Sequence, residues 1–208
     1  VLLIAFCLCI ISLMATYVGQ RNADNEREGE GVMQFASGAA YDGEWRANQR
    51  EGHGEMLYAG NEIYIGEWRE NQREGKGTHR YANGSAYEGE WVSGKREGFG
   101  KYTFSNGCVY EGEYRTGQRD GKGTFTFPNG VTQIARFERG KPVKEGVRWS
   151  SDHAGYPSTL DDRQVAWRLQ DGLVVEGISL NEAEHIARRA GIEPLLPRTM
   201  QAEATDVA

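Results

Sequence analysis

Cysteine and proline are scarce in this chain of 208 residues, with three of the first and five of the second. Cys7 and Cys9 share one apolar run and Cys108 stands alone, which is neither a disulfide framework nor a zinc-ligand spacing. Scarce proline and the absence of a Gly-X-Y period exclude a collagen. A basic excess is also missing, because 24 Lys and Arg face 30 Asp and Glu for a net charge of -6. That balance argues against a general nucleic-acid binder, and no nucleic-acid partner is expected. What the chain has in excess is glycine, at 28 residues, and aromatics, at 5 Trp, 10 Tyr and 7 Phe. So many rings exclude a disordered chain, and so many glycines indicate backbone freedom spent at many places.

Beyond residue 16 there is no long apolar stretch. Residues 1–16, VLLIAFCLCIISLMAT, carry no charge, and as a helix they would span about 24 Å, short of a hydrocarbon core of about 30 Å. The chain begins with Val rather than Met, so a longer apolar segment is expected upstream. Three readings stand: an apolar helix anchoring the protein in a membrane, a cleaved signal, or a truncation artefact. The first predicts a membrane-associated protein with its repeats in the cytoplasm.

The rest is governed by a period. Tyr41, Tyr64, Tyr87 and Tyr110 are spaced by 23 and open four similar lines at 41–63, 64–86, 87–109 and 110–132. A degenerate copy precedes them, with Arg27, Glu28, Gly29, Gly31, Phe35 and Gly38 in register and Tyr17 and Gly19 displaced by one inserted residue. Another follows, with Phe137 at the Trp position and Gly140 at the turn position, so the array is expected over 17–146. In Tyr-x-Gly-Glu-Trp, the Tyr, Gly and aromatic share one strand face, and Glu44, Glu67, Glu90 and Glu113 point to the other. The expected core is Tyr41, Trp45, Tyr64, Trp68, Tyr87, Trp91, Tyr110, Tyr114 and Phe137. Asn48, Asn71, Gly94 and Gly117 mark hairpin turns that need positive φ. Each return strand then carries a Gly-x-Gly, such as Gly52 and Gly54 or Gly75 and Gly77, expected to leave room for neighbouring rings. Asn83-Gly84, Asn106-Gly107 and Asn129-Gly130 make the second turn. A lone hairpin is marginal in water, so the prediction is an all-β, elongated solenoid of stacked antiparallel hairpins.

YEGEW followed by GKREGFGKYTFSNG resembles the membrane occupation and recognition nexus (MORN) repeat, over roughly residues 26–140. The resemblance implies a non-catalytic module. Such arrays occur in junctophilins that bridge membranes, in plant phosphatidylinositol phosphate kinases as a regulatory part, in radial spoke head proteins, and before a histone-lysine methyltransferase domain. Fold transfers across such a family better than function does.

Residues 147–193 follow a different pattern. Val165, Trp167 and Leu169 alternate with polar neighbours, Asp171-Gly172 supplies a turn, and Leu173, Val174, Val175 and Ile178 return, which predicts a hairpin. Ser179 with Glu182 forms a capping box for a helix whose apolar stripe is Ala183, Ile186, Ala187 and Ala190, stopped at Gly191. Residues 194–208, with Pro194 and Pro197, are expected to be a disordered tail. The hairpin and helix either cap the open end of the solenoid or dock a partner through Trp167.

No catalytic constellation emerges, and neither enzymatic activity nor a cofactor or metal is expected. His53 and His79 occupy different positions in adjacent repeats, and His153 and His185 lack partners at ligand spacing, so all four are read as surface or packing histidines. The Gly-x-Gly pairs lack the Lys-Ser/Thr ending of a phosphate loop. One feature suits a ligand: Arg27, Arg50, Arg73, Arg96 and Arg119 recur every 23 residues and form a column that could meet lipid phosphates or a protein. Against lipid, each Arg precedes Glu28, Glu51, Glu74, Glu97 or Asp120, and the four full copies sum to charges of -3, +1, 0 and 0. The plainer expectation is a solvated, ion-paired turn. The favoured function is a scaffold or adaptor presenting an elongated β-surface to a protein partner, membrane-associated through residues 1–16. The alternatives are the regulatory portion of a phosphatidylinositol phosphate kinase-like enzyme, or a direct phospholipid tether. Exposed sheet edges also predict homo-oligomers through the solenoid ends.

Overall fold

The computed structural model describes residues 14–149 and 166–191. The chain divides into two compact units, Val1–Arg96 and Glu97–Ala208. Among the described residues the first unit holds β1 (Thr16–Arg21), β2 (Arg27–Gln34), β3 (Ala40–Arg46), β4 (Gln49–Leu57), β5 (Ile63–Arg69), β6 (Gln72–Arg80) and β7 (Ala86–Val92). From β1 to β7 every strand pairs antiparallel with its neighbour in sequence. The boundary falls inside β8 (Lys95–Thr103), and the second unit continues with β9 (Val109–Arg115), β10 (Gln118–Thr126), β11 (Thr132–Glu138), β12 (Lys141–Trp149), β13 (Ala166–Gln170), β14 (Leu173–Ile178) and α1 (Leu180–Arg189). Here too each strand from β8 to β14 pairs antiparallel with the next.

Two turn types produce this order. At the tight hairpins both central residues have positive φ: Ala47 and Asn48, Glu70 and Asn71, Ser93 and Gly94, Thr116 and Gly117, Arg139 and Gly140. That pattern is a type I′ turn, whose twist matches the strands it joins. At the wider turns Asn83, Asn106 and Asn129 accept from the amide two residues on, while the glycine between takes positive φ.

The nine predicted core aromatics are all buried, with at most 4% of their surface exposed. Tyr41, Tyr64 and Tyr110 each lie edge-on between two Trp-position rings, as Tyr41 does at 5.0 Å from Trp45 and 5.5 Å from Trp68. Its hydroxyl donates to the carbonyl of the Glu three residues on, and burial pushes that hydroxyl's pKa upward. Phe137 takes the Trp place against Tyr110, at 5.1 Å.

The two glycines of each Gly-x-Gly do different work, which corrects the expectation that both face rings. A Cβ on Gly54, Gly77 or Gly123 would collide with the ring of Tyr41, Tyr64 or Tyr110. Gly52 and Gly75 instead sit at positive φ in a bulge, and a Cβ there would meet the carboxylates of Glu44 and Glu67. Those carboxylates accept from the amides beside the bulge, at His53 (2.7 Å) and Lys76 (2.8 Å).

Among the described residues, nothing covers the sheet face opposite the rings in the first unit. In the second it becomes apolar, where Ile134, Val147, Trp149, Ala166 and Ile178 form one buried cluster with Ala183, Ile186 and Ala187 of α1. Helix α1 packs on β12 and β13, so it covers a sheet face rather than lying across the edge of β14. The expected capping box is half formed: Ser179 accepts from the Glu182 amide, but the Glu182 carboxylate bonds Arg168. Arg168 also reaches Glu145 at 3.4 Å and Glu176 at 2.8 Å, which ties α1 to β12, β13 and β14. Strand β12 runs through residues 146 and 147 without a break.

Most of the apolar run 1–16 lies outside the described residues, and so does the tail from 192 onward. Of that run, Met14 is exposed and Thr16 opens β1, so its last residue belongs to the sheet rather than to an apolar helix. Among the described residues, no helix is long and apolar enough to cross a membrane.

Candidate functional site

The arginine column exists, but the residues face inward. The guanidinium carbons of Arg27, Arg50 and Arg73 stand 4.2 Å, 4.3 Å and 4.2 Å from the ring centres of Trp45, Trp68 and Trp91. Such stacking contributes about 0.5–2 kcal/mol. Each Nη2 then donates across the stack to the turn of the next hairpin: Arg27 to Asn48 O at 2.9 Å, Arg50 to Asn71 O at 2.9 Å and Arg73 to Gly94 O at 2.8 Å. Arg119 repeats this in the second unit, 5.0 Å from the Phe137 ring and 2.8 Å from Gly140 O. Arg96 lies 5.5 Å from the Tyr87 ring. Burial lowers the pKa of Arg27 and Arg50, yet both stay charged.

The acidic residue after each Arg is not its ion-pair partner. Glu28, Glu51, Glu74, Glu97 and Asp120 accept from the amides of Ala47, Glu70, Ser93, Thr116 and Arg139, the first positive-φ residue of the next turn. Arg and acid together form a staple: one holds the turn's carbonyl, the other its N–H. This replaces the expected solvated ion pair, because a type I′ turn leaves the N–H and C=O groups of its central residues unpaired, and the staple takes up two of them while the second amide bonds the Arg backbone carbonyl. A partner or lipid seeking the column would have to break the staples.

The uncovered face offers a different surface. On β3, β4 and β5 of the first unit, Ala40 pairs with Leu57 and Leu57 with Ile63, while Asp42 pairs with Glu55 and Glu55 with Ile65. Leu57 is 39% and Ile65 48% exposed, so an apolar strip lies open to solvent beside carboxylates. Glu30 opposite Glu44 and Asp42 opposite Glu55 put like charges directly across from each other. Sequence reasoning missed this patch, although its signal was present: positions carrying Ile65 and Leu57 share the strand face of the charged residues.

Trp167 is half-buried on β13, paired with Arg148 and Gly177, and points away from α1. His53 and His185 are exposed, His79 is buried, and His153 lies outside the described residues. Among the described residues, no group of His, Cys, Asp and Glu is disposed to hold a metal ion.

A family model described as the MORN repeat matches residues 23–40, 41–62, 64–86, 87–109 and 110–132. No curated protein matches the chain significantly. Among solved structures, the chain is similar to the SAS-4 (dCPAP) TCP domain of Drosophila melanogaster, in complex with a proline-rich motif of Ana2. The identity is 20%, the alignment covers 65% of this chain and 73% of that one, and the TM-score is 0.40. The G-box domain of the microcephaly protein CPAP aligns at 15% identity over 66% of this chain and 87% of that one, with a TM-score of 0.31. TM-scores below 0.5 leave these likenesses without weight for function.

Proposed function

The chain belongs to the MORN-repeat family, and from that premise we propose that it is a non-catalytic scaffold or adaptor, binding a protein partner through the uncovered face of its sheet. The observation that carries this reading is the strip of Leu57, Ile63 and Ile65 bordered by Asp42 and Glu55. Exposed aliphatic side chains beside carboxylates suit a partner with apolar anchors and a basic rim. They do not suit an anionic lipid surface, and the arginines that would have suited one are engaged in staples. Membrane association through the uncharged run 1–16 is part of the same proposal.

Proximity labelling in the native cell tests the partner, comparing the wild type with a Leu57→Lys, Ile65→Lys double variant. Both positions are exposed, so the variant should fold, and labelling of the principal partner should fall about tenfold, or about 1.4 kcal/mol. An unchanged labelling pattern removes the patch from the proposal. Pelleting of residues 17–208 with anionic vesicles at low salt would favour the lipid tether instead. Membrane fractionation of the product with its complete upstream sequence tests the anchor, which a soluble, unprocessed product would overturn.

A further inference from the structure

Met33, Met56 and His79 occupy one position of three successive hairpins, 23 residues apart. In the second of these, Arg50 Nη1 stands 3.6 Å from Met56 Sδ, a weak acceptor with no proton to gain. In the third, Arg73 Nη1 stands 2.9 Å from His79 Nδ1. A guanidinium only donates, so Nδ1 accepts and the imidazole carries its proton on Nε2. His79 is 5% exposed, with ring centres at 4.3 Å for Tyr81, 5.8 Å for Tyr58, 6.0 Å for Trp91 and 6.3 Å for Tyr64. The same Arg73 stacks on Trp91 and holds Gly94 O. One imidazole therefore supports the arginine of the staple on the Ser93-Gly94 turn, where the hairpin before it uses the thioether of Met56.

We propose that His79 is an acid-operated release for that turn: protonation of Nδ1 removes the acceptor for Arg73, sets two cations against each other, and frees Gly94 O. The groups acting on His79 come from every element around it. Arg73 of β6 and, farther off, Arg96 at the start of β8 oppose protonation. Glu62, in the turn before β5, favours it, with Oε2 at 3.2 Å from Nε2 but poorly aligned for a hydrogen bond. The rings of Tyr58, Tyr64 and Tyr81 complete the surroundings. Burial, then Arg73, lowers the pKa of His79 below the ordinary histidine value, and Glu62 offsets this only in part. The folded state therefore binds the proton less readily than the unfolded chain. The stabilisation is complete above the unfolded value of about 6.5 and is lost as pH falls from there through the lower value of the folded state.

The preceding hairpin is a built-in control. Amide hydrogen exchange of the full chain, expressed as protection factors at pH 7.5 and 5.0, reads both turns at once. The Ser93 amide donates to Glu74 and the Gly94 amide to Arg73 O, just as Glu70 donates to Glu51 and Asn71 to Arg50 O. The two turns therefore present the same kinds of acceptor, a carboxylate and a backbone carbonyl. Acidification should lower protection at Ser93 and Gly94 several-fold relative to Glu70 and Asn71. His79→Met, which installs the residue of the preceding hairpin, should remove that difference. Equal loss at both turns, or a difference that persists in His79→Met, overturns the proposal. Should that variant fail to fold, the NMR titration of wild-type His79 against His53, whose side chain is 78% exposed, decides the matter. A midpoint for His79 at or above that of His53 also overturns it.

Discussion

Strand β5 and strand β11 begin from the same repeat and end in different surroundings. In β5 only the ring side is covered: Tyr64 and Trp68 are buried while Ile65 between them is half exposed. In β11 both sides are covered, and Gln133, Ile134, Ala135 and Phe137 are all buried. The position of Ile65 is that of Ile134, three 23-residue repeats later, yet only Ile134 has α1 above it. The repeat therefore builds one covered face without help, using rings, bare glycines and arginine staples. A second covered face needs an element from outside the repeat.

That contrast can be broken at several points. Tyr64→Ala should have the largest effect, about 3–5 kcal/mol, because the ring fills the space above Gly77 and touches Trp68 and Trp91. Loss of exchange protection in β5 and β6 would report it, and a cost below about 1 kcal/mol would mean that the ring face is not what holds these strands. Ile186→Ala should cost about 2–4 kcal/mol, since Ile186 is 1% exposed at the centre of the cluster under α1. Its signature is lost protection in α1, β12 and β13 with no change in β3 to β6, because distant repeats share few contacts. Equal losses in both places would show that the second face supports the first. Glu55→Lys should have the smallest effect, a gain of about 0.2–1 kcal/mol from relieving the repulsion with Asp42. The gain should shrink in high salt, as thermal melts at two ionic strengths would show.

The ring face was legible in the sequence because each of its devices recurs at 23 residues: Tyr, Trp, the turn residues and the second glycine. Periodicity exposes whatever every unit must repeat. The staples recur as faithfully, yet their partners are backbone groups 19 and 21 residues away, which carry no side-chain signature. Adjacent Arg and Glu therefore read as an ion pair. The first glycine of each pair was misread for a related reason, since a bulge shifts the register by two residues and composition does not record it. The placement of α1 left a clue in the change from Thr78, Lys101 and Thr124 to Val147 at one repeat position. Its meaning depends on which helix descends on that face, which local spacing does not encode.

Every staple described in either unit points the same way, from an Arg and its acidic neighbour to a turn that comes later in the chain. The array thus has a direction that its antiparallel strands conceal. During synthesis the N-terminal end emerges first, so each new turn meets a grip already in place. Shortening the chain from its C-terminus leaves grips with nothing to hold; shortening it from the N-terminus leaves turns with nothing holding them. Growth of such an array by duplication is correspondingly one-sided, because an added hairpin is received by the one before it.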